Sequence, residues 1–231
     1  MGTVTQNLFK LFRQSGSSSG QEKNPRDAGV RSRRHSSGFK EFMRTVAGQE
    51  ELSFLDLGAT SASNISLLTD RGSRIYTEDL LVSASDPDMF VAGEDGGKVI
   101  DVERFLKENL SFRGQVFDAV LFWDIADYLP EALVKPVIEK IFCAMKPGGV
   151  LLAFFHTKDA GPDSPYSRYH IAGDDALDLQ LVMVRNGGGA PGPVRLQRVF
   201  NNRHIENLFR DFASLKFFLA RDNIREVLVL R

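Results

Sequence analysis

The chain of 231 residues has little of several features that mark particular protein classes. Cys143 is its only cysteine, which excludes an intrachain disulfide and a cysteine-based metal cluster. A formal net charge of -1 provides no overall field that would attract nucleic acid or an anionic membrane. The longest apolar run, Val150 to Phe155, is far too short to cross a bilayer. We therefore expect a soluble cytoplasmic protein that has no metal, no membrane attachment and no nucleic-acid partner.

The first 38 residues differ in composition from the rest of the chain. They are dominated by Ser, Gly, Arg and Lys, and they contain seven basic but only two acidic residues. A segment of this kind buries too little apolar surface to offset the entropy lost on ordering. We predict a disordered basic tail over residues 1–38 and one domain over residues 39–231. The tail is interpreted as a solvated extension, with a basic arm for an acidic partner as the alternative.

From residue 39 onward, strand and helix patterns alternate along the sequence. The near-continuous apolar run Phe117–Trp123 is typical of a central parallel strand, which is covered on both faces. Two further short strands are predicted at 52–57 and 74–77, separated by a helix over 62–70. Residues 157–178 are interpreted as loop-rich, and the last two strands are expected to be antiparallel. The pattern predicts an α/β domain built around a largely parallel sheet.

The most informative segment is Phe54-Leu-Asp56-Leu-Gly58-Ala-Thr60, a short apolar strand that leads directly into a turn. An acidic pair, Glu78 and Asp79, follows about one strand–helix–strand unit later. A parallel sheet that binds a nucleoside has this layout, because a carboxylate at the tip of the second strand can accept hydrogen bonds from ribose hydroxyls. A dinucleotide fingerprint would need further glycines at Thr60 and Ser63. The segment therefore favours a nucleoside ligand without a pyrophosphate.

Three segments together resemble the motifs of class I S-adenosylmethionine-dependent methyltransferases. The first is the strand and turn at residues 54–58. The second is Phe117-Asp-Ala-Val-Leu-Phe122 with Trp123-Asp-Ile-Ala-Asp-Tyr-Leu129 behind it, and the third is Lys146-Pro-Gly-Gly-Val-Leu-Leu152. The resemblance covers residues 39–231. It implies a Rossmann-like three-layer sandwich with a mostly parallel seven-stranded sheet and an antiparallel last strand.

The resemblance also implies the cofactor, S-adenosylmethionine, and the residues that hold it. Gly58 would let backbone approach the cofactor closely, and Glu78 or Asp79 would bind the ribose, with Asp79 slightly favoured. The family usually has glycine where Thr60 and Ala62 stand, so a positive φ at either residue would weaken binding. For each of these residues a purely structural role is the alternative. The cofactor-binding residues implied are Asp56, Gly58, Ala59, Thr60, Glu78, Asp79, Asn109, Leu110, Phe122 and Trp123.

The resemblance implies methyl transfer to an acceptor, for which we expect a small molecule. Asp124, after the fourth strand, and His156, after the fifth, are the candidate catalytic residues, with helix capping and a hydrogen-bonded strand end as the structural alternatives. The aromatic and acidic segment 157–178 would overhang the site and could suit a cationic or amine substrate, or be a solvated loop. The alternative function is a non-catalytic scaffold or interaction module that binds the cofactor weakly or not at all. We expect a monomer or a homodimer.

Overall fold

A computed structural model describes residues 31–161, 164–184, 192–219 and 222–231. The helices are α1 (Ser37–Val46), α2 (Ala62–Asp70), α3 (Leu80–Ala84), α4 (Val102–Asn109), α5 (Ile125–Tyr128), α6 (Glu131–Ala144) and α7 (Asn202–Leu208). The strands are β1 (Arg31–His35), β2 (Ser53–Asp56), β3 (Arg74–Thr77), β4 (Phe90–Ala92), β5 (Lys98–Ile100), β6 (Phe117–Trp123), β7 (Met145–His156), β8 (Ser167–Ile171), β9 (Ala176–Leu181), β10 (Met183–Val184), β11 (Gly192–Pro193), β12 (Ser214–Leu219) and β13 (Ile224–Leu230). None of these helices is long and apolar enough to cross a membrane.

The main sheet has six strands in the order β12-β13-β7-β6-β2-β3. The neighbours β7, β6, β2 and β3 run parallel, while β13 is antiparallel to both β7 and β12. The mixed α/β sheet and the reversal at its end were predicted, but the seventh strand was not found among the described residues. The chain between β3 and β6 instead folds into the separate hairpin β4–β5 and the helix α4. These hairpin strands have only three residues each, and the glycine-containing turn at 93–97 joins them.

Alternate residues of β6 face two different hydrophobic cores. Val120 and Phe122 pack in the core that contains the buried faces of α4, α6 and α7. Leu121 and Trp123 pack in the second core, which includes residues of α1, α2 and β8. Because successive side chains of a strand point to opposite faces, both faces of this strand must be apolar. The result is the predicted arrangement of three layers.

Helix α6 runs from Glu131 and contains Pro136 in its second turn. Pro130 occupies the N-cap position, where its missing N–H costs nothing. Burial of Leu133, Val137 and other residues spaced along one face stabilises the helix despite the proline.

A three-stranded sheet, ordered β1-β9-β8, is the main addition that the sequence did not predict. β1 lies in the segment 31–38 that was assigned to the disordered tail, so that part of the assignment is wrong. Its backbone pairs with β9 over five residues, and Arg34 reaches inward to the buried Glu226 at 2.6 Å. The segment 157–178, expected to be loop-rich, contains β8 and the start of β9. The other residues of the predicted tail, 1–30, lie outside the described residues.

Candidate functional site

The turn that follows β2 is organised by the fully buried carboxyl group of Asp56. This group accepts hydrogen bonds from Thr60 Oγ1 at 2.5 Å, from the indole Nε1 of Trp123 at 2.8 Å and from the N–H of Gly58 at 3.3 Å. Burial raises the pKa of Asp56, and these three donors oppose that rise. Thr60 thus supports the turn. Neither Thr60 nor Ala62 has a positive φ, so the predicted backbone penalty at these two residues does not arise.

The acidic pair after β3 lies beside this turn. The N–H of Glu78 donates to the carbonyl of Asp56 at 2.9 Å, which places the tips of β2 and β3 side by side. Asp79 caps α3, because its carboxylate accepts a hydrogen bond from the N–H of Val82 at 3.2 Å. Burial, followed by the charge of Asp79, raises the pKa of Glu78 to about 7. Of the two acids, Glu78 is the one that does not hold a helix end.

Side chains of the added sheet cover the turn. The hydroxyl of the buried Tyr166 accepts a hydrogen bond from the N–H of Ala59 at 3.1 Å, and Arg168 Nε donates to the Ala59 carbonyl at 3.0 Å. A Cβ built on Gly58 would lie 2.8 Å from Trp123 Cδ1 and 3.2 Å from the Tyr166 hydroxyl. Glycine is therefore required here by the packing of these two aromatic side chains.

Trp123 ends β6 in a strained conformation. Its φ of 49° lies in the left-handed region, which a large side chain rarely adopts. The ring stacks on Tyr169 with centroids 4.9 Å apart and an interplanar angle of 5°, and its Nε1 is bonded to Asp56. These contacts hold the strained residue, and such over-determined strain is typical of functional sites. The bend directs the following residue, Asp124, toward the same edge of the sheet.

A second cluster of buried polar groups lies at the ends of β6 and β7. Asp127 Oδ2 accepts hydrogen bonds from both the backbone N–H of His156, at 2.6 Å, and its ring Nδ1, at 2.9 Å. Asp124 Oδ2 accepts a hydrogen bond from the hydroxyl of Tyr169 at 3.0 Å. Burial raises the pKa of Asp124 to about 7, although the nearby His156 lowers it. The candidate catalytic residues Asp124 and His156 thus lie in one electrostatically coupled group.

Several buried atoms around this cluster have no hydrogen-bond partner. Among the described residues these include Asp124 Oδ1, Asp127 Oδ1, Thr157 Oγ1 and Arg34 Nη1. Arg34 lies 4.8 Å from the ring centroid of Phe154, and its charge acts on His156. Because an unsatisfied buried polar atom costs about 1–3 kcal/mol, these atoms are expected to bind water or a ligand.

The structure brings together most of the predicted site residues, but not all of them. Phe122 packs in the opposite core from Trp123, in the core that also contains Ala59 and Tyr166. Asn109 and Leu110 lie at the C-terminus of α4, where the Asn109 amide donates to the Phe105 carbonyl and Leu110 is buried in the core. The family resemblance implied that these two residues bind the cofactor, and the structure places them at a helix end in which the side chains have these structural contacts.

Sequence reasoning missed Arg34, and it did not assign contacts to Tyr166 and Arg168. Arg34 was placed in the tail because its neighbours are Ser and Arg, and only the pairing of β1 with β9 brings it inward. The tyrosines of the 157–178 segment were noted as part of an overhanging lid. That signal was useful, since Tyr166 and Tyr169 are both buried against the site. No group of three or more potential metal ligands occurs within the described parts of the chain.

Comparisons with known proteins gave matches among solved structures only. No protein-family profile matches the chain, and no curated protein matches it. A Burkholderia thailandensis 1,6-didemethyltoxoflavin-N1-methyltransferase, solved with S-adenosylhomocysteine, is 12% identical over 84% of this chain and 76% of that one, with a TM-score of 0.47. A Pyrococcus horikoshii OT3 protein is 14% identical over 84% and 92% of the two chains (TM-score 0.46). A Methanosarcina mazei S-adenosylmethionine-dependent methyltransferase is 12% identical over 79% and 93% (TM-score 0.41). At such identities and TM-scores, the likeness carries no argument about the activity of this chain.

Proposed function

We propose that this protein binds S-adenosylmethionine at the carboxyl edge of the main sheet and transfers its methyl group to a small-molecule acceptor. The observation that carries the proposal is the adjacency of a backbone turn and a carboxyl group. The turn after β2 is held by Asp56, and the half-buried carboxyl group of Glu78 stands at the tip of the neighbouring strand. A nucleoside needs both parts, one for close backbone approach and one for its ribose hydroxyls.

In this proposal Glu78 binds the ribose, in place of the slightly favoured Asp79. Asp79 already accepts a hydrogen bond from Val82 at the start of α3, and giving it up would uncap that helix. The pKa of Glu78 is raised because burial and the like charge of Asp79 disfavour its ionised form, and this carries a cost in free energy. Two ribose hydroxyls would donate hydrogen bonds to that carboxylate and relieve this cost.

The fit of the cofactor depends on Tyr166. The N–H of Ala59 is the backbone donor of the turn, and the Tyr166 hydroxyl already takes its hydrogen bond. The space over Gly58 is also lined by Tyr166 and Trp123. The residues of the turn therefore suit the cofactor once Tyr166 has moved away, while Asp56 stays in place. The carboxylate of Glu78 would exchange its hydrogen bond to the Ser83 side chain for the ribose hydroxyls.

When bound, S-adenosylmethionine supplies a methyl group that is already activated by a positive sulfur. The chain then has to position the acceptor and exclude water from the reacting groups. The buried aromatic side chains Tyr169 and Trp123 would provide a water-excluding wall. Asp124 and His156, at the ends of β6 and β7, would face the acceptor.

Calorimetric titration with S-adenosylhomocysteine tests this function. We expect saturable binding to the wild-type protein and a loss of at least tenfold in affinity in Glu78→Gln. Glu103→Gln, an equivalent change on the exposed face of α4, serves as the matched control and should bind as wild type does. An absence of heat at millimolar ligand, with the protein folded, would reject the proposal.

A second candidate function is a non-catalytic scaffold or interaction module. The covering of Gly58 and Ala59 by Tyr166 and Trp123 favours it, because a protein that never binds the cofactor can fill this space permanently. The same titration separates the two functions, since a scaffold would show no binding at millimolar ligand. For the enzyme we further propose a cytoplasmic location and a monomeric or homodimeric state. Sedimentation analysis would test the oligomeric state.

A further inference from the structure

The arrangement of Asp127 and His156 resembles an oriented acid–base pair. His156 is the last residue of β7, and Asp127 lies in the short helix α5 that follows β6. One carboxylate oxygen of Asp127 accepts both the backbone N–H and the ring Nδ1 of His156. An oxygen that accepts two donors fixes the imidazole with its proton on Nδ1. This leaves the lone pair on Nε2, to which no group in the described part of the chain is bonded.

The surroundings of this pair restrict what Nε2 can meet. Asp124 and Asp127 bring negative charge to the ring, Arg34 brings positive charge, and the ring of Tyr128 stands edge-on with its centroid 5.7 Å from that of His156. The charge of Arg225 also reaches Asp127. Two carboxyl groups beside the ring disfavour an anionic acceptor, and the aromatic neighbours favour a flat apolar body. A neutral aromatic hydroxyl meets both conditions.

We propose that His156 is the general base of the methyl transfer, that Asp127 is its positioning residue, and that the acceptor is an aromatic hydroxyl compound. The proposal rests on the proposed function and names its acceptor class. The acceptor oxygen forms its new bond to the methyl carbon, the carbon–sulfur bond breaks, and its electron pair stays on the neutral thioether sulfur. The hydroxyl proton moves to His156 Nε2, so the proton released by the reaction is held as imidazolium beside Asp127.

The electrostatics of the pair agree with this geometry. Burial lowers the pKa of His156, but the hydrogen bond to Asp127 and the charges of Asp124 and Asp127 outweigh it, so the pKa lies above its ordinary value. The neutral ring, which is the form able to act as a base, then takes up a proton more readily. Asp124 Oδ1 and Thr157 Oγ1 are both buried and without a partner, and their residues directly follow β6 and β7. They are further polar contacts for an acceptor.

Histidine NMR on the labelled full-length protein tests the proposal without requiring turnover. His156 is one of four histidines, and its ring signals are identified by their loss in His156→Gln. We expect the neutral ring to carry its proton on Nδ1, with a titration midpoint above the ordinary value for a histidine. In Asp127→Asn the midpoint should fall by at least one pH unit while His204 stays unchanged. The opposite tautomer, or an unchanged midpoint in a folded Asp127→Asn protein, would overturn the positioning role.

Phenol and anisole form a matched probe pair for the base itself and need only the wild-type protein. Phenol has a proton to donate to Nε2, whereas anisole carries a methyl group in its place. We expect phenol at millimolar concentration to shift the His156 ring signals at least twice as far as anisole does. Equal shifts, or none, would overturn the base role. Calorimetry with S-adenosylhomocysteine on the same sample reports separately on the proposed function, so the two can fail independently.

Discussion

Replacing Tyr166 by phenylalanine separates the stability of the fold from the affinity of the turn for its cofactor. The variant keeps the buried ring and removes only the hydroxyl that accepts the N–H of Ala59 at 3.1 Å. A buried hydrogen bond of this kind contributes about 1 kcal/mol net to stability. The free energy of unfolding of the ligand-free protein should therefore fall by about that amount. A cofactor that uses the same N–H no longer has to displace the hydroxyl, so its affinity should rise about fivefold.

The assay combines urea unfolding with calorimetric titration of S-adenosylhomocysteine on the same preparations. Tyr128→Phe is the matched control, because its hydroxyl donates to the Ser164 carbonyl at a similar 3.1 Å and lies off the turn. We expect both variants to be destabilised to a similar degree, and only Tyr166→Phe to bind more tightly. Weaker binding by Tyr166→Phe would refute the reasoning, because it would make the hydroxyl part of the cofactor site instead of its competitor.

Three further predictions concern stability and are checked by urea unfolding. Asp124 has a pKa of about 7 in the folded protein against 3.8 as an ordinary carboxyl, so the folded state binds the proton more tightly and its stability falls as pH rises through this window. Asp124→Asn should therefore gain stability relative to wild type between pH 4 and pH 8, by on the order of 4 kcal/mol at most, and a pH-independent difference would contradict this. Gly58→Ala places a methyl group 2.8 Å from the indole ring and should cost about 1–3 kcal/mol, whereas Gly161→Ala, which meets nothing within 4 Å, should cost little. Arg34→Met removes the charge partner of the buried Glu226 carboxylate, which keeps only neutral donors such as the Gly38 N–H, and should cost about 3–5 kcal/mol. The double variant with Glu226→Gln should recover a part of this loss, and a loss below about 1 kcal/mol would contradict the ion pair.

The parallel part of the sheet was predictable because its signals are local. β3 and β6 have the bounds that the sequence indicated, since each is a short run enclosed by turn residues. The turn at Gly58 was also predicted, as a place where the backbone approaches a ligand closely. The contact of Gly58 with Trp123 was not predicted, because only the strand order places Trp123 of β6 against a residue that follows β2.

The added sheet could not be predicted, because its pairing is non-local. β1 has the composition of a disordered tail, and its partner β9 lies about 145 residues further along the chain. The inward contacts of Arg34 exist only after that pairing has formed. The prediction of a seventh strand was not confirmed for a different reason, since that strand was expected only from the family resemblance. The glycine-rich chain at residues 93–97 instead closes a separate hairpin.

The polar cluster was only partly predictable. Asp124 and His156 were expected at one edge of the sheet because parallel strands end on the same side. The hydrogen bonds that Asp127 accepts from the backbone N–H and the ring Nδ1 of His156 depend on the tight turn of α5, which sequence patterns do not fix. The choice between Glu78 and Asp79 likewise needed the structure, because the capping of α3 decides it.

The central claim, that Glu78 binds the ribose of an adenosyl cofactor, is tested most directly by a two-by-two titration. Calorimetry would compare S-adenosylhomocysteine with its 2′-deoxyribose analogue on the wild-type protein and on Glu78→Gln. We predict that wild type prefers the ribose form at least tenfold, and that Glu78→Gln loses most of this preference. Equal affinities for the two ligands on the wild-type protein, or binding of neither, would contradict the account.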